Sequence, residues 1–191
     1  KIAENLYKEI LKINPNHFGS IFYLGTLLVQ TQRFKLAKSL LYKATQINPN
    51  YAAAHNNLGA TLKELGEYQN AINCCQKAIK INPNYADAHY NLGNVFKQLN
   101  EPQKAINYYQ KAIEIEPSYI NAHQDLMDVC EKTNQITELK DAVSNARTFF
   151  KDNSIIKLYE GILLSRNEKF VEAINCLKLI SFETNETNKE I

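Results

Sequence analysis

The stretch Asn48-Pro49-Asn50-Tyr51-Ala52-Ala53-Ala54-His55-Asn56-Asn57-Leu58-Gly59 returns 34 residues later as Asn82-Pro83-Asn84-Tyr85-Ala86-Asp87-Ala88-His89-Tyr90-Asn91-Leu92-Gly93. The period extends in both directions. Pro15, Pro49, Pro83 and Pro117 keep it, and so do Gly25, Gly59, Gly93 and Gly161, with Met127 filling the gap. Ala37, Ala71, Ala105 and Ala173 keep it with Leu139 in the gap, as do Ala44, Ala78, Ala112 and Ala146. Self-similarity at such a period means stacked copies of one supersecondary unit.

The unit itself is legible from spacing. Leu58, Leu62 and Leu65 lie three or four apart, the stripe of an amphipathic helix, and Ala71, Ile72, Cys75, Ala78 and Ile79 repeat that spacing on a second helix. Gly66-Glu67 interrupts the pattern between them, so the unit reads helix–turn–helix. Small Gly59 and Ala71 let the two helices approach closely. Pro102 falls at the start of a second helix, where a missing N–H is tolerated. Proline then ends each second helix. Asn50, Asn84 and Ser118 follow where an N-cap for the next helix is expected, with Asp152 in that role one unit later.

A 34-residue helix pair with these landmarks resembles the tetratricopeptide repeat. One unit reads Leu58-Gly59, Leu62, Tyr68, Ala71, Ala78 and Pro83; the next reads Leu92-Gly93, Phe96, Ala105, Tyr109, Ala112 and Pro117. His55, His89 and His123 stand where the family has a first-helix aromatic. The resemblance implies an all-α fold, a right-handed α-solenoid (superhelix) of antiparallel helix hairpins over residues 1–181. Residues 1–17 are then the second helix of a partial repeat; 18–51, 52–85, 86–119 and 120–153 are full repeats; 154–181 is the last, and 182–191 a polar tail. The repeat at 120–153 departs from the others, because Met127 and Leu139 replace both small residues. A wider helix spacing and a local change of superhelical path are expected there.

Composition narrows the function. Lys and Arg total 22 against 20 Asp and Glu, a net charge of +2 that exerts no general pull on nucleic acid or anionic lipid. No apolar run approaches the ~20 residues of a membrane span, and no signal peptide opens the chain. The chain begins inside a helical pattern and reads as part of a longer one. Cys74, Cys75, Cys130 and Cys176 form no CxxC and no zinc-ligand spacing, and read as small buried hydrophobes in a reducing, cytoplasmic setting. His55, His89 and His123 sit on successive repeats, too far apart to converge on one metal ion, and read as packing residues. No phosphate-binding loop or hydrolase motif is present. The reading is of a non-enzymatic protein without cofactor or metal, binding neither nucleic acid nor membrane.

By resemblance to the family, the first helix of each pair lines a concave groove. The helical period then points Ala53, Asn56, Asn57, Ala60 and Lys63 into it, followed by Asp87, Tyr90, Asn91, Asn94 and Lys97, then Asn121, Gln124, Asp125, Asp128 and Glu131. Phe22, Tyr23 and Thr26 contribute at one end, and Leu158, Tyr159 and Ile162 at the other. The candidate partner-binding residues are Tyr23, Asn56, Asn57, Tyr90, Asn91, Asn94, Gln124, Asp125 and Asp128. Side-chain amides both donate and accept, which suits the backbone of an extended peptide. The stretches Ala54–Gly59 and Ala88–Gly93 are similar to repeats of protein O-GlcNAc transferases, where the Asn of Asn-Leu-Gly holds substrate backbone; the likeness carries to Asn57 and Asn91. A carboxylate clamp is disfavoured, because its cationic residues are missing and Asp87 would repel a carboxylate. The expected function is a protein–protein interaction scaffold that binds an extended segment of a partner polypeptide in the groove. The alternative is the substrate-recruiting arm of a larger enzyme such as a glycosyltransferase. Self-association through exposed solenoid ends is a third expectation.

Overall fold

The computed structural model describes residues 2–151 and 153–186, with side chains through residue 178. Among them are eleven helices and no strand. They divide into two compact units, residues 1–115 and 116–191. The first holds α1 (Ile2–Ile13), α2 (Phe18–Gln30), α3 (Phe34–Ile47), α4 (Ala52–Glu64), α5 (Tyr68–Ile81), α6 (Ala86–Gln98) and α7 (Pro102–Ile115). The second holds α8 (Ile120–Lys132), α9 (Ile136–Phe149), α10 (Ser154–Arg166) and α11 (Phe170–Glu186). Within each unit consecutive helices pack against one another, the repeating hairpins of an all-α solenoid. Pro102 opens α7, as its missing N–H predicts. α11 continues through Glu186, into the stretch expected as a polar tail; the remainder of that stretch lies outside the described residues.

Four of the described hairpins close over the landmark glycine. A Cβ on Gly59 would stand 2.6 Å from Cys75 Sγ and 3.3 Å from the Ala71 carbonyl oxygen. On Gly93 it would meet the Tyr109 ring at 2.7 Å, on Gly25 the Leu41 side chain at 2.9 Å, and on Gly161 the Leu177 side chain at 2.9 Å. The glycine thus receives a second-helix side chain that any larger residue would displace. In α8 that place is taken by Met127, which is wholly buried, as is Leu139 on α9.

The turns between repeats correct one expectation. Asn50, Asn84 and Ser118 are not N-caps. The caps are Tyr51, Tyr85 and Tyr119, none of which makes a side-chain capping bond. The proline and the residue after it are the middle of a β-turn, closed by Tyr51 N to Asn48 O at 3.3 Å, Tyr85 N to Asn82 O at 3.2 Å and Tyr119 N to Glu116 O at 3.0 Å. In the second of these loops, and in the equivalent loop before α2, the first Asn folds back on the turn, with Asn82 Oδ1 accepting from Asn84 N and Asn14 Oδ1 from Asn16 N, each at 3.2 Å. A side-chain cap does occur at His17, whose Nδ1 accepts from Ser20 N, and at Asn153, whose Oδ1 accepts from Ile155 N at 2.9 Å. Asn153 therefore fills the role assigned to Asp152, which lies outside the described residues.

The periodic histidines hold these turns from the helix side. His55, His89 and His123 place Nε2 at 2.9, 3.0 and 2.9 Å from the carbonyl oxygens of Pro49, Pro83 and Pro117. Each ring thereby gives a carbonyl at the loop a donor, with the proton on Nε2. In the preceding loop Lys43 Nζ donates to Pro15 O at 2.7 Å. Burial pushes His123 below the usual histidine range, and the hydrogen bond to the Pro117 carbonyl opposes that shift only in part.

Candidate functional site

In the first unit the first helices α2, α4 and α6 lie side by side. Their polar residues do not simply point to solvent; they bridge helix to helix. Asn57 Nδ2 donates to Thr26 Oγ1 at 3.0 Å, joining α4 to α2. Asn91 Nδ2 donates to Asn56 Oδ1 at 2.9 Å, joining α6 to α4. Asn56 Nδ2 reaches the Tyr85 hydroxyl at 3.5 Å, and Tyr109 OH donates to Asn94 Oδ1 at 2.8 Å. Side-chain hydrogen bonds of this kind are worth about 1 kcal/mol each, so the bridges matter chiefly because they fix where each amide stands.

The sequence-predicted residues of this unit fall into three situations. Asn57, Tyr90, Asn91 and Asn94 are half-buried on the first helices. Tyr23 is 53% exposed and stacks on Tyr7 of α1 at 6.2 Å between centroids. Asn56 is only 3% exposed, so its side chain belongs to the interior between α4 and α6. Phe22 is buried, and the Tyr51 ring meets both Phe22 and Phe18 edge-on, each at 5.1 Å. Thr61 Oγ1, wholly buried, donates to the carbonyl of Asn57 at 2.7 Å and satisfies itself within α4.

Two partners of the amides escaped the sequence reading. Tyr109 reads in the sequence as a landmark of the second helix, and Tyr85 carries no assigned role there. The available signal was periodic: tyrosine stands at each of the caps Tyr51, Tyr85 and Tyr119, which implies a packing demand on the ring. Burial pushes the Tyr85 hydroxyl above the ordinary tyrosine range, so it remains a neutral partner for Asn56.

In the second unit Gln124, Asp125 and Asp128 are half-buried on α8. Asp128 pairs with Lys132 at 2.8 Å, and Glu131 pairs with Arg166 of α10 at 3.0 Å. Part of the acidic character of this face is therefore answered within the unit.

No cluster of His, Cys, Asp or Glu that could hold a metal ion occurs among the described residues. Burial raises the Cys74 thiol to about 11 and Cys75 to about 12, which keeps both protonated and poorly reactive. None of the described helices is long and apolar enough to cross a membrane.

Stacked hairpins joined edge to edge by side-chain bridges define a helical-repeat protein of the binding-scaffold class. The chain belongs to the tetratricopeptide-repeat family: descriptions of that repeat match residues 50–118 and 20–51. A crystal structure of MamA is 31% identical, covering 78% of this chain and 89% of that one, with a TM-score of 0.69. YrrB, described as a TPR protein with an unusual peptide-binding site, shares the fold at 18% identity, covering 91% of this chain and 90% of its own, with a TM-score of 0.68. The Pseudomonas aeruginosa protein PilF does so at 19% identity, covering 97% and 82%, with a TM-score of 0.75. No curated protein matches the chain.

Proposed function

We propose that the face formed by α2, α4 and α6 binds an extended segment of a partner polypeptide. The observation that carries this reading is the pair of amides, Asn57 and Asn91, each half-buried and each held by a hydrogen bond from the same Nδ2 position to the preceding repeat. A carboxamide has two N–H donors and an acceptor oxygen, and the bridge engages one donor. The remainder of each amide suits peptide backbone, and the bridge removes the rotamer freedom that binding would otherwise have to freeze. Tyr23 and Tyr90 flank the amides with ring surface at low entropy cost, and the family and the described peptide-binding site of YrrB agree with such a role. Gln124, Asp125 and Asp128 extend the reading to the second unit, where a basic or polar segment is the fitting partner.

The test is selection of a displayed random-peptide library against the purified chain. Selected peptides should lose about tenfold or more in affinity for Asn57→Ala/Asn91→Ala, roughly 1.4 kcal/mol. Equal binding by that double variant, with its helical circular dichroism intact, would remove the amides from the proposal. The likeness of Ala54–Gly59 and Ala88–Gly93 to O-GlcNAc transferase repeats favours a second reading, in which the array recruits substrates for a catalytic domain of a longer protein. The coding sequence on either side of this chain decides it. A cytoplasmic setting fits the free thiols of Cys74, Cys75, Cys130 and Cys176.

A further inference from the structure

On another side of α4, away from the amides, α3 and α5 leave a cleft of about 400 Å³. Leu58 and Leu62 of α4 form its buried floor, Tyr42 of α3 stands 59% exposed on one wall, and Cys74 of α5 stands on the other. The next repeat shows one way in which this space is filled. Adding the 34-residue period to Cys74 gives Tyr108, and adding it to Leu62 gives Phe96. Those two rings stack at 5.5 Å with 7° between their planes, Tyr108 also lies 6.3 Å from His89, and Lys104 Nζ covers the Phe96 ring at 5.0 Å. One repeat therefore fills the position with its own aromatics. The other puts a thiol and a leucine there, and the space stays open.

The charge at the rim points the same way. Lys38 Nζ contacts both carboxylate oxygens of Glu67, at 2.6 and 2.8 Å, so the two charges answer each other. Asn70 Nδ2 also donates to Glu67 at 3.3 Å. The other polar lining groups are Thr45, the amides Gln46 and Asn73, and His55, whose Nε2 is held by the Pro49 carbonyl oxygen. A charged side chain would find no unanswered counter-charge here, whereas a neutral ring with a hydroxyl tip matches both floor and rim.

We infer that this cleft receives an aromatic side chain, tyrosine above all, from a partner polypeptide, in the place that Tyr108 fills in the following repeat. The site lies on a different surface from the amides and does not depend on the groove reading. It would let the array grip two parts of a partner at once.

N-acetyl-L-tyrosinamide is the probe, titrated into the ¹⁵N-labelled chain and followed by NMR. Saturable shifts are expected at the amides of Tyr42, Asn73 and Cys74, with N-acetyl-L-lysinamide producing none. Cys74→Tyr, which supplies the ring from within, should weaken the probe by about tenfold or more. Tyr42→Ala changes an exposed wall residue and keeps the test open if Cys74→Tyr does not fold; it too should weaken the probe. Absence of saturable shifts at these residues, or equal binding by folded Cys74→Tyr and Tyr42→Ala, overturns the inference. Shifts at the same residues that appear on raising protein concentration without probe would assign the cleft to a second copy of the chain and overturn the partner assignment.

Discussion

The turn between first and second helix places one residue at positive φ in every hairpin: Gln32 at 58°, Gly66 at 75°, Asn100 at 56°, Asn134 at 58° and Glu168 at 61°. The reason is the way the first helix stops. Gly66 N donates to Lys63 O and Glu67 N to Leu62 O, at 3.0 and 2.9 Å, the paired bonds of a left-handed helix end. Gln32 and Arg33 make the same pair to Val29 O and Leu28 O, at 2.9 and 2.8 Å. Glycine adopts this conformation freely and asparagine tolerates it, but glutamine and glutamate carry a Cβ that crowds the following carbonyl, at a cost of roughly 1–2 kcal/mol. Gln32→Gly is therefore expected to stabilise the chain by about 0.5–1 kcal/mol, since glycine's extra unfolded-state entropy offsets part of the gain. Urea denaturation measures it, and a neutral or destabilising result would count against the strain. Asn100→Gly should gain less. Gly66 announced this position in the sequence and Asn100 and Asn134 agree with it, whereas Gln32 and Glu168 carry no such signal.

At the scale of the element, the close hairpin is a matched pair of a glycine and the side chain it receives. Cys75, Tyr109, Leu41 and Leu177 differ widely in size, yet each meets a glycine in the facing helix. The sequence reading attributed close approach to glycine and alanine together. The structure adds that the volume above the glycine is filled from one turn further along the second helix. The hairpin of α8 and α9 lacks that arrangement, with Met127 and Leu139 both wholly buried. We propose that these two large residues set the helices further apart than in the neighbouring hairpins. In that case restoring small residues opens a cavity: Met127→Ala and Leu139→Ala should each cost about 2–5 kcal/mol. A double variant as stable as the original chain, by chemical denaturation, would mean that α8 and α9 can close to the ordinary spacing and that the wider one is absent.

At the scale of the whole molecule, each repeat buries its apolar face on a neighbour in its own unit, so stability is shared among the repeats of that unit. Residues with no such neighbour are conspicuous. Ile2 and Leu6 of α1 are exposed, as are Phe170, Val171 and Ile174 of α11. Apolar side chains gathered in this way on one helix favour association, by about 25 cal/mol per Å² removed from water. The expected outcome is a mass, measured by light scattering, that rises with protein concentration and falls back in Val171→Asp/Ile174→Asp. A monomer mass constant across the concentration range would remove self-association.

The sequence by itself determined the repeat, the two helices in it, the glycine landmarks and the proline-marked turns. These depend on residues a few positions apart, and periodicity multiplies a weak local signal. The identity of the side chains meeting across repeats belonged to the tertiary structure. Asn56 and Asn57 are adjacent in sequence, and helical periodicity alone put both on the binding face. Only the arrival of Asn91 and Tyr85 against Asn56 buries one of them and leaves the other half-open. The cleft beside Cys74 is of the same kind. A cysteine where the next repeat has tyrosine is unremarkable as a letter, and becomes a ligand-sized space only when α3, α4 and α5 enclose it.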